Sequence, residues 1–139
     1  MASAIGSSIR IGRVCGIPLE ISYTWFPIFA LVTYSLASSY ASAHSHWSIS
    51  EEWGTAIATS LLFFTSVLAH ELSHSLVAIR LGIPVQRITL FIFGGIAQIA
   101  REPNHPKIEA SVALAGPLSS FAIAGLSFGL HMVLQPVSE

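Results

Sequence analysis

Residues 55–79 have the sequence TAIATSLLFFTSVLAHELSHSLVAI, an apolar run that is interrupted only by the cluster His70-Glu71-Leu72-Ser73-His74. A helix that crosses a bilayer needs about 20 predominantly apolar residues. A helix in a globular core rarely stays uncharged on every face over such a length. The sequence therefore predicts a transmembrane helix over residues 55–80, with ionisable side chains inside it.

Two further stretches have the same character. Residues 21–43 carry no charge, and residues 110–134 carry His131 as their only ionisable group. The 139 residues are 53% hydrophobic and 9% charged, whereas a typical globular chain is about a quarter charged. We therefore predict a membrane α-helical fold with three transmembrane helices, at 21–43, 55–80 and 108–134.

The first of these stretches has an alternative interpretation as a cleaved signal peptide. Ala41-Ser42-Ala43 resembles a signal-peptidase site. However, the stretch is longer than the 7–15 residues of a signal-peptide core, and twenty residues precede it. A retained helix is the better interpretation.

The basic residues predict the orientation of the chain. The loop after the first helix, residues 44–53, contains no Lys or Arg. All six basic residues precede the first helix or lie between the second and third: Arg10, Arg13, Arg80, Arg87, Arg101 and Lys107. The positive-inside rule places these segments, and the N-terminus, in the cytoplasm. His70 then lies in the cytoplasmic third of its helix, about 22 Å from Thr55 along the axis.

A net charge of -1 argues against nucleic acid as a partner.

The hydrophobic period changes outside the helices. Leu19, Ile21 and Tyr23 alternate with polar residues, and residues 85–93 are rich in β-branched and aromatic side chains. Gly94-Gly95 predicts a turn before a second short strand. We expect an N-terminal strand region within residues 1–20 and a hairpin over 84–100, both cytoplasmic and able to pair. An interfacial loop is the alternative for each.

The cluster in the second helix fits the pattern H-E-x-x-H. Residues four apart on a helix lie about 40° apart around its axis, so His70 and His74 point the same way and can bind one metal ion. Zinc suits two imidazole nitrogens, and a catalytic site leaves one position for water. Glu71 can act on that water as a general base. The structural alternative is that Glu71 bonds to a neighbouring helix while the histidines pack beside it.

The remaining histidines are weaker candidates for metal ligands. His44 and His46 lie in the outer loop, His105 lies in a proline-rich loop, and His131 is distant in depth from the cluster.

In the third helix, Ala115-Gly116-Pro117 predicts a kink or a close approach, for which helix packing is the default interpretation.

Taken together, these residues resemble the site-2 protease family of intramembrane zinc metalloproteases. The matching segments are His70–His74, Phe93-Gly94-Gly95 and Ala115-Gly116-Pro117-Leu118; Gly16-Ile17-Pro18-Leu19 resembles the start of some prokaryotic members. The resemblance implies an endopeptidase that cuts single-span membrane proteins, with His70 and His74 binding Zn²⁺ and Glu71 activating water. It also implies a sheet along which an unwound substrate lies by strand addition.

The sequence departs from the family in one respect. The family takes a third zinc ligand from an aspartate on a later helix, near a functional asparagine. This chain has no aspartate, and its sole asparagine is Asn104. We expect the chain to represent the front part of such a protease, with the missing aspartate supplied by a further chain or segment.

The predicted function is therefore a zinc-dependent intramembrane endopeptidase in a multi-pass cell-membrane protein, with the lipid bilayer and transmembrane substrates as partners. Activity of this chain alone is doubtful without the third ligand. The alternative is a non-catalytic membrane protein that keeps the fold and binds substrates or partner helices. A metal-ion transporter fits less well, because no internal repeat is evident.

Overall fold

The described elements follow one another as two strands, two helices, two strands and a final helix. The structure, a computed structural model, describes residues 7–101 and 105–134. Its elements are β1 (Ser8–Val14), β2 (Ile17–Ser22), α1 (Trp25–Ala43), α2 (Ile49–Arg80), β3 (Val85–Phe91), β4 (Gly94–Ile99) and α3 (Pro106–Leu134).

The first helix begins later than the sequence predicted. Residues 21–24 were assigned to the helix, but Ile21 and Ser22 belong to β2 and α1 starts at Trp25. Ile21 is paired with Ile9 on β1 and with Leu90 on β3. Strand pairing on both sides therefore outweighs the apolar character that suggested a helix.

The second helix begins earlier than the predicted start at Thr55. Ser48 caps it: the Ser48 side chain accepts from the Glu51 backbone N–H, and the Glu51 carboxylate accepts from the Ser48 N–H at 2.7 Å. This reciprocal capping satisfies N–H groups that an uncapped helix end leaves unpaired. The polar first turns of α2 thus extend the helix beyond its apolar run.

The four strands form one sheet in the order β1-β2-β3-β4. The β1–β2 hairpin turns at Cys15 and Gly16, both with positive φ, as a two-residue hairpin turn requires. β2 and β3 pair in parallel, which confirms that the two predicted strand segments pair. β3 and β4 are antiparallel.

The turn of the second hairpin lies at a different place from the one predicted. Phe91 pairs with Gly94, so Ile92 and Phe93 form the turn, and Gly94 and Gly95 lie inside β4. Glycine in a strand often marks the close approach of another segment. Gly95 does so here, as described below.

A network of polar side chains runs across the strands of the sheet. The Ser8 hydroxyl donates to the Glu20 carboxylate at 2.7 Å, and Arg87 lies 3.3 Å from the same group. Arg87 Nε also donates to the Gln98 side chain at 2.6 Å. The Ser8 hydrogen bond, reinforced by the Arg87 charge, holds the pKa of Glu20 below its ordinary value. This network joins all four strands.

The sheet packs its apolar face against the middle of α2. Its buried residues are Ile17, Leu19, Ile88 and Leu90, and the α2 side chains against them are Val67, Leu68 and Leu72. Burying such side chains contributes about 1.5–3 kcal/mol each. The sheet is therefore held beside the turns of α2 that carry the His70–His74 cluster.

Two of the described helices, α2 and α3, are long and apolar enough to cross a membrane. α1 has 19 residues and no charge, but it contains many hydroxyl side chains. Two of these bond to α2: Thr33 Oγ1 donates to Ser60 Oγ at 2.9 Å, and Tyr40 lies 3.2 Å from Thr59. α3 begins at Pro106, just before the predicted start, and continues through Pro117.

Candidate metal centre

The three residues that the sequence singled out lie together on α2. His70, Glu71 and His74 are all half-buried, and one ligand atom from each lies within 4.8 Å of the others. The two Nε2 atoms are 3.1 Å apart. The i, i+4 spacing thus brings both imidazoles to one point, as the sequence predicted.

The other nitrogen of each imidazole bonds to α3. His74 Nδ1 lies 2.6 Å from the Val112 carbonyl oxygen, and His70 Nδ1 lies 2.8 Å from Ser120 Oγ. A carbonyl oxygen can only accept, so His74 Nδ1 is the donor. Neutral His74 therefore presents an unprotonated Nε2, which is the form that binds a metal ion.

Gly116 allows α3 to approach the imidazoles. It is buried on α3 between the two hydrogen-bonding positions. A Cβ atom added there would collide with the imidazole nitrogens of both His70 and His74. No residue other than glycine fits at this position without displacing the imidazoles. The close approach predicted for Ala115-Gly116-Pro117 is therefore present, and it occurs at the candidate metal centre.

Gly95 has the corresponding role on β4. A Cβ atom added to Gly95 would collide with Glu71 Cγ and would lie 3.3 Å from Glu71 Cδ. The strand therefore passes directly over the glutamate. A cavity of about 380 Å³ opens beside it, and its lining includes His70, Glu71, Gly94, Gly95 and Ser120.

The donor set and its geometry fit a zinc ion. Two nitrogen ligands at 2.0–2.1 Å in a tetrahedral arrangement stand about 3.3 Å apart, close to the observed separation of 3.1 Å. Gly116 has no side chain, so both imidazoles can pack against its backbone with their Nε2 atoms close together. Within residues 7–101 and 105–134, no other His, Cys, Asp or Glu joins this group.

The other histidines lie elsewhere. The His44 ring stacks on Trp47 with ring centres 4.1 Å apart, and His105 Nδ1 accepts from the Lys107 backbone N–H at 3.3 Å. Sequence reasoning found the three residues on α2 but missed their partners Val112, Ser120 and Gly95. Only the glycine-containing motifs carried a signal for such contacts, and they were interpreted as packing and turn elements.

The chain is similar to known proteins of one family. The family model of peptidase family M50 matches residues 58–138. A protein of Synechocystis named "putative zinc metalloprotease" is 43% identical over 119 residues, which is 86% of this chain and 31% of that protein. A zinc metalloprotease of Methanocaldococcus jannaschii is 34% identical over 116 residues, covering 84% of this chain and 30% of its own length.

A solved structure, the site-2 protease from Methanocaldococcus jannaschii, superposes with a TM-score of 0.67 at 29% identity. The match covers 94% of this chain and 54% of that protein. The chain belongs to peptidase family M50 and has the site-2 protease fold. The names of its relatives imply zinc as the metal. The chain spans about a third of the length of these curated relatives.

Proposed function

We propose that His70 and His74 bind the zinc ion of a membrane metalloendopeptidase and that Glu71 is its general base. The observation that carries this proposal is the convergence of the two Nε2 atoms, 3.1 Å apart, with Glu71 beside them on an apolar helix. Ionisable residues inside membrane helices are costly and usually serve function. Packing alone gives no reason for both imidazoles to point at one space.

The bound zinc would act as a Lewis acid and lower the pKa of a bound water to about 7. The chain's own residues supply the rest of the chemistry. The imidazole Nε2 atoms would hold the metal, and the Glu71 carboxylate would accept a proton from the attacking water and return it to the leaving amine.

The proposed substrate is a transmembrane protein whose chain unwinds beside β4. In the described part of the chain, β4 is the last strand of the sheet, and its outer edge has no partner strand. Gly94 and Gly95 of β4 line the same cavity as Glu71. An extended peptide that pairs with this edge would therefore pass the catalytic group, as in strand addition.

We propose that the third zinc ligand comes from outside these 139 residues. The sequence contains no aspartate, and catalytic zinc sites generally take three protein ligands and a water. Using Glu71 as the third ligand would remove the general base. A further segment or chain with an aspartate on a membrane helix would complete the site.

The membrane arrangement that we propose has three spans, α1, α2 and α3, with the sheet and the N-terminus in the cytoplasm of a multi-pass cell-membrane protein. The basic residues lie in the strands (Arg10, Arg13 and Arg87), at helix ends (Arg80 and Lys107) and just after β4 (Arg101). Cysteines introduced singly at Ser48 and Ser138, in a Cys15→Ser background, test this arrangement with an impermeant reagent. Labelling of both sites only from the cytoplasmic side would exclude it.

The metal assignment is tested with purified protein. We expect zinc to bind to the wild type and to be lost in the His70→Ala and His74→Ala variants. His46→Ala, which changes an exposed loop histidine, is the matched control and should retain the metal. Equal zinc content in all four proteins would refute the assignment.

The catalytic assignment is tested by co-expression with an aspartate-bearing membrane helix and a single-span test substrate. We expect cleavage that disappears in Glu71→Gln while zinc is retained. Zinc binding without Glu71-dependent cleavage would instead favour a non-catalytic protein that keeps the fold and binds membrane helices.

A further inference from the structure

The hydroxyl of Ser120 is the partner of one metal-binding imidazole. Ser120 lies on α3, and its Oγ is 2.8 Å from His70 Nδ1. It is an exposed residue that lines the cavity beside Glu71. Its position is outside the segments that identified the site from the sequence.

The two imidazoles are held by different kinds of group. His74 Nδ1 bonds to the backbone carbonyl of Val112, which would be present whatever residue stood at that position. His70 Nδ1 bonds to a side-chain hydroxyl. The hydrogen bond to His70 is therefore the one of the two that can be removed by replacing the side chain of its α3 partner.

Metal binding through Nε2 leaves the proton of a neutral imidazole on Nδ1. That N–H needs an acceptor, and a ligand histidine almost always has one, which fixes the ring and increases its basicity. A hydroxyl can accept this proton. Within the described residues, the Ser120 hydroxyl is the group recorded in hydrogen-bonding range of His70 Nδ1.

We propose that Ser120 is a positioning residue that orients His70 for metal binding. This inference rests on the proposed function, because it takes His70 as a zinc ligand. Ser120 acts through His70 and needs no contact with the substrate. Removing its hydroxyl should therefore weaken metal binding directly, whether or not a substrate is present.

Ser119 provides a matched control on the same helix. Its hydroxyl donates to the Gly116 carbonyl oxygen at 2.7 Å, one turn back along α3. It is thus a serine next to Ser120 whose hydrogen bond stays within its own helix. Removing its hydroxyl should leave the imidazoles in place.

The test is a Co²⁺ titration of the purified full chain, in which the visible absorption of bound Co²⁺ gives both affinity and coordination geometry. We expect Ser120→Ala and Ser120→Val to weaken binding about 10–100-fold. Ser120→Thr keeps the hydroxyl and should remain close to the wild type, as should Ser119→Ala. Threonine and valine have nearly the same shape, so their difference isolates the hydrogen bond from packing.

The outcomes separate this inference from the proposed function. Equal affinities and spectra for the wild type, Ser120→Val and Ser120→Thr would overturn the role of Ser120 while leaving the metal site intact. Equal weakening in the valine and threonine variants would also overturn it, because packing would then explain the loss. If the wild type and His70→Ala bind Co²⁺ equally, the metal site itself is wrong and the role of Ser120 is refuted with it.

Discussion

Gly116 offers a test of how the candidate metal centre is built, because replacing it with alanine adds one methyl group at the point where α3 meets both imidazoles. The added Cβ would collide with the nitrogens of His70 and His74. Relief requires the two rings to rotate or α3 to move away. Either movement breaks the bonds from the rings to Val112 and Ser120, which are now 2.6 and 2.8 Å long.

The expected magnitude follows from these two bonds. A hydrogen bond contributes about 1 kcal/mol net, so losing both costs about 2 kcal/mol of binding free energy, or about 30-fold in metal affinity. The same two bonds are lost from the folded protein, so stability should fall as well. Overpacking costs a further amount of about 1–3 kcal/mol, which is offset in part because alanine is better than glycine in a helix by about 1 kcal/mol. Gly116→Ala should therefore weaken metal binding and also lower the midpoint of thermal unfolding.

The assay measures zinc per protein during titration with a competing chelator, together with the midpoint of thermal unfolding. Gly125→Ala is the control on the same helix, because a Cβ added there would meet nothing within 4 Å beyond the neighbouring backbone of its own helix. It should bind zinc like the wild type. Wild-type affinity in Gly116→Ala would refute the argument that this glycine keeps space for the ligands.

Two further predictions concern the sheet. Gly95→Ala should displace Glu71 and reduce cleavage about 100-fold in the co-expression assay while zinc stays bound. Gly54→Ala is the control and should cleave like the wild type. Loss of zinc together with cleavage in Gly95→Ala would contradict the argument that Gly95 positions Glu71 and not the zinc ligands. The stabilising network around Glu20 should be complete above pH about 4.3 and be lost as the pH falls through the lowered folded-state pKa. Glu20→Gln should therefore lower the unfolding midpoint at pH 7 more than at pH 3, and equal losses at both pH values would disprove this.

The sequence predicts the α2 part of the site well because that part is local. The spacing of His70 and His74 along one helix determines that both face the same way, whatever the rest of the chain does. The partners on α3 are different. Whether Ser120 or Ser119 meets His70 depends on the rotation of α3 against α2, which is set by packing over the whole interface. Nothing in the local pattern around either serine distinguishes them.

Two of the differences from the predicted elements, the start of α1 and the place of the β3–β4 turn, have a related cause. The sequence of residues 21–23 is compatible with both an apolar helix and an alternating strand. Pairing with the parallel strand β3, which lies far along the chain, selects the strand. The composition of Gly94-Gly95 is typical of a turn. However, β4 needs glycine there because Glu71 lies against it. In both cases a contact distant in sequence selects one of two locally acceptable structures.

These contacts have a consequence for recognising functional members of the family. The proposed ligands and the proposed base all lie on α2, but the groups packed against them lie on α3 and β4. A chain with H-E-x-x-H on an apolar helix, but with a larger residue at the position of Gly116, could not bring both imidazoles to one metal ion without moving α3. A larger residue at the position of Gly95 would displace the base instead. The histidine motif alone is therefore not sufficient, and the two glycines should distinguish chains that can form the site from chains that only keep the fold.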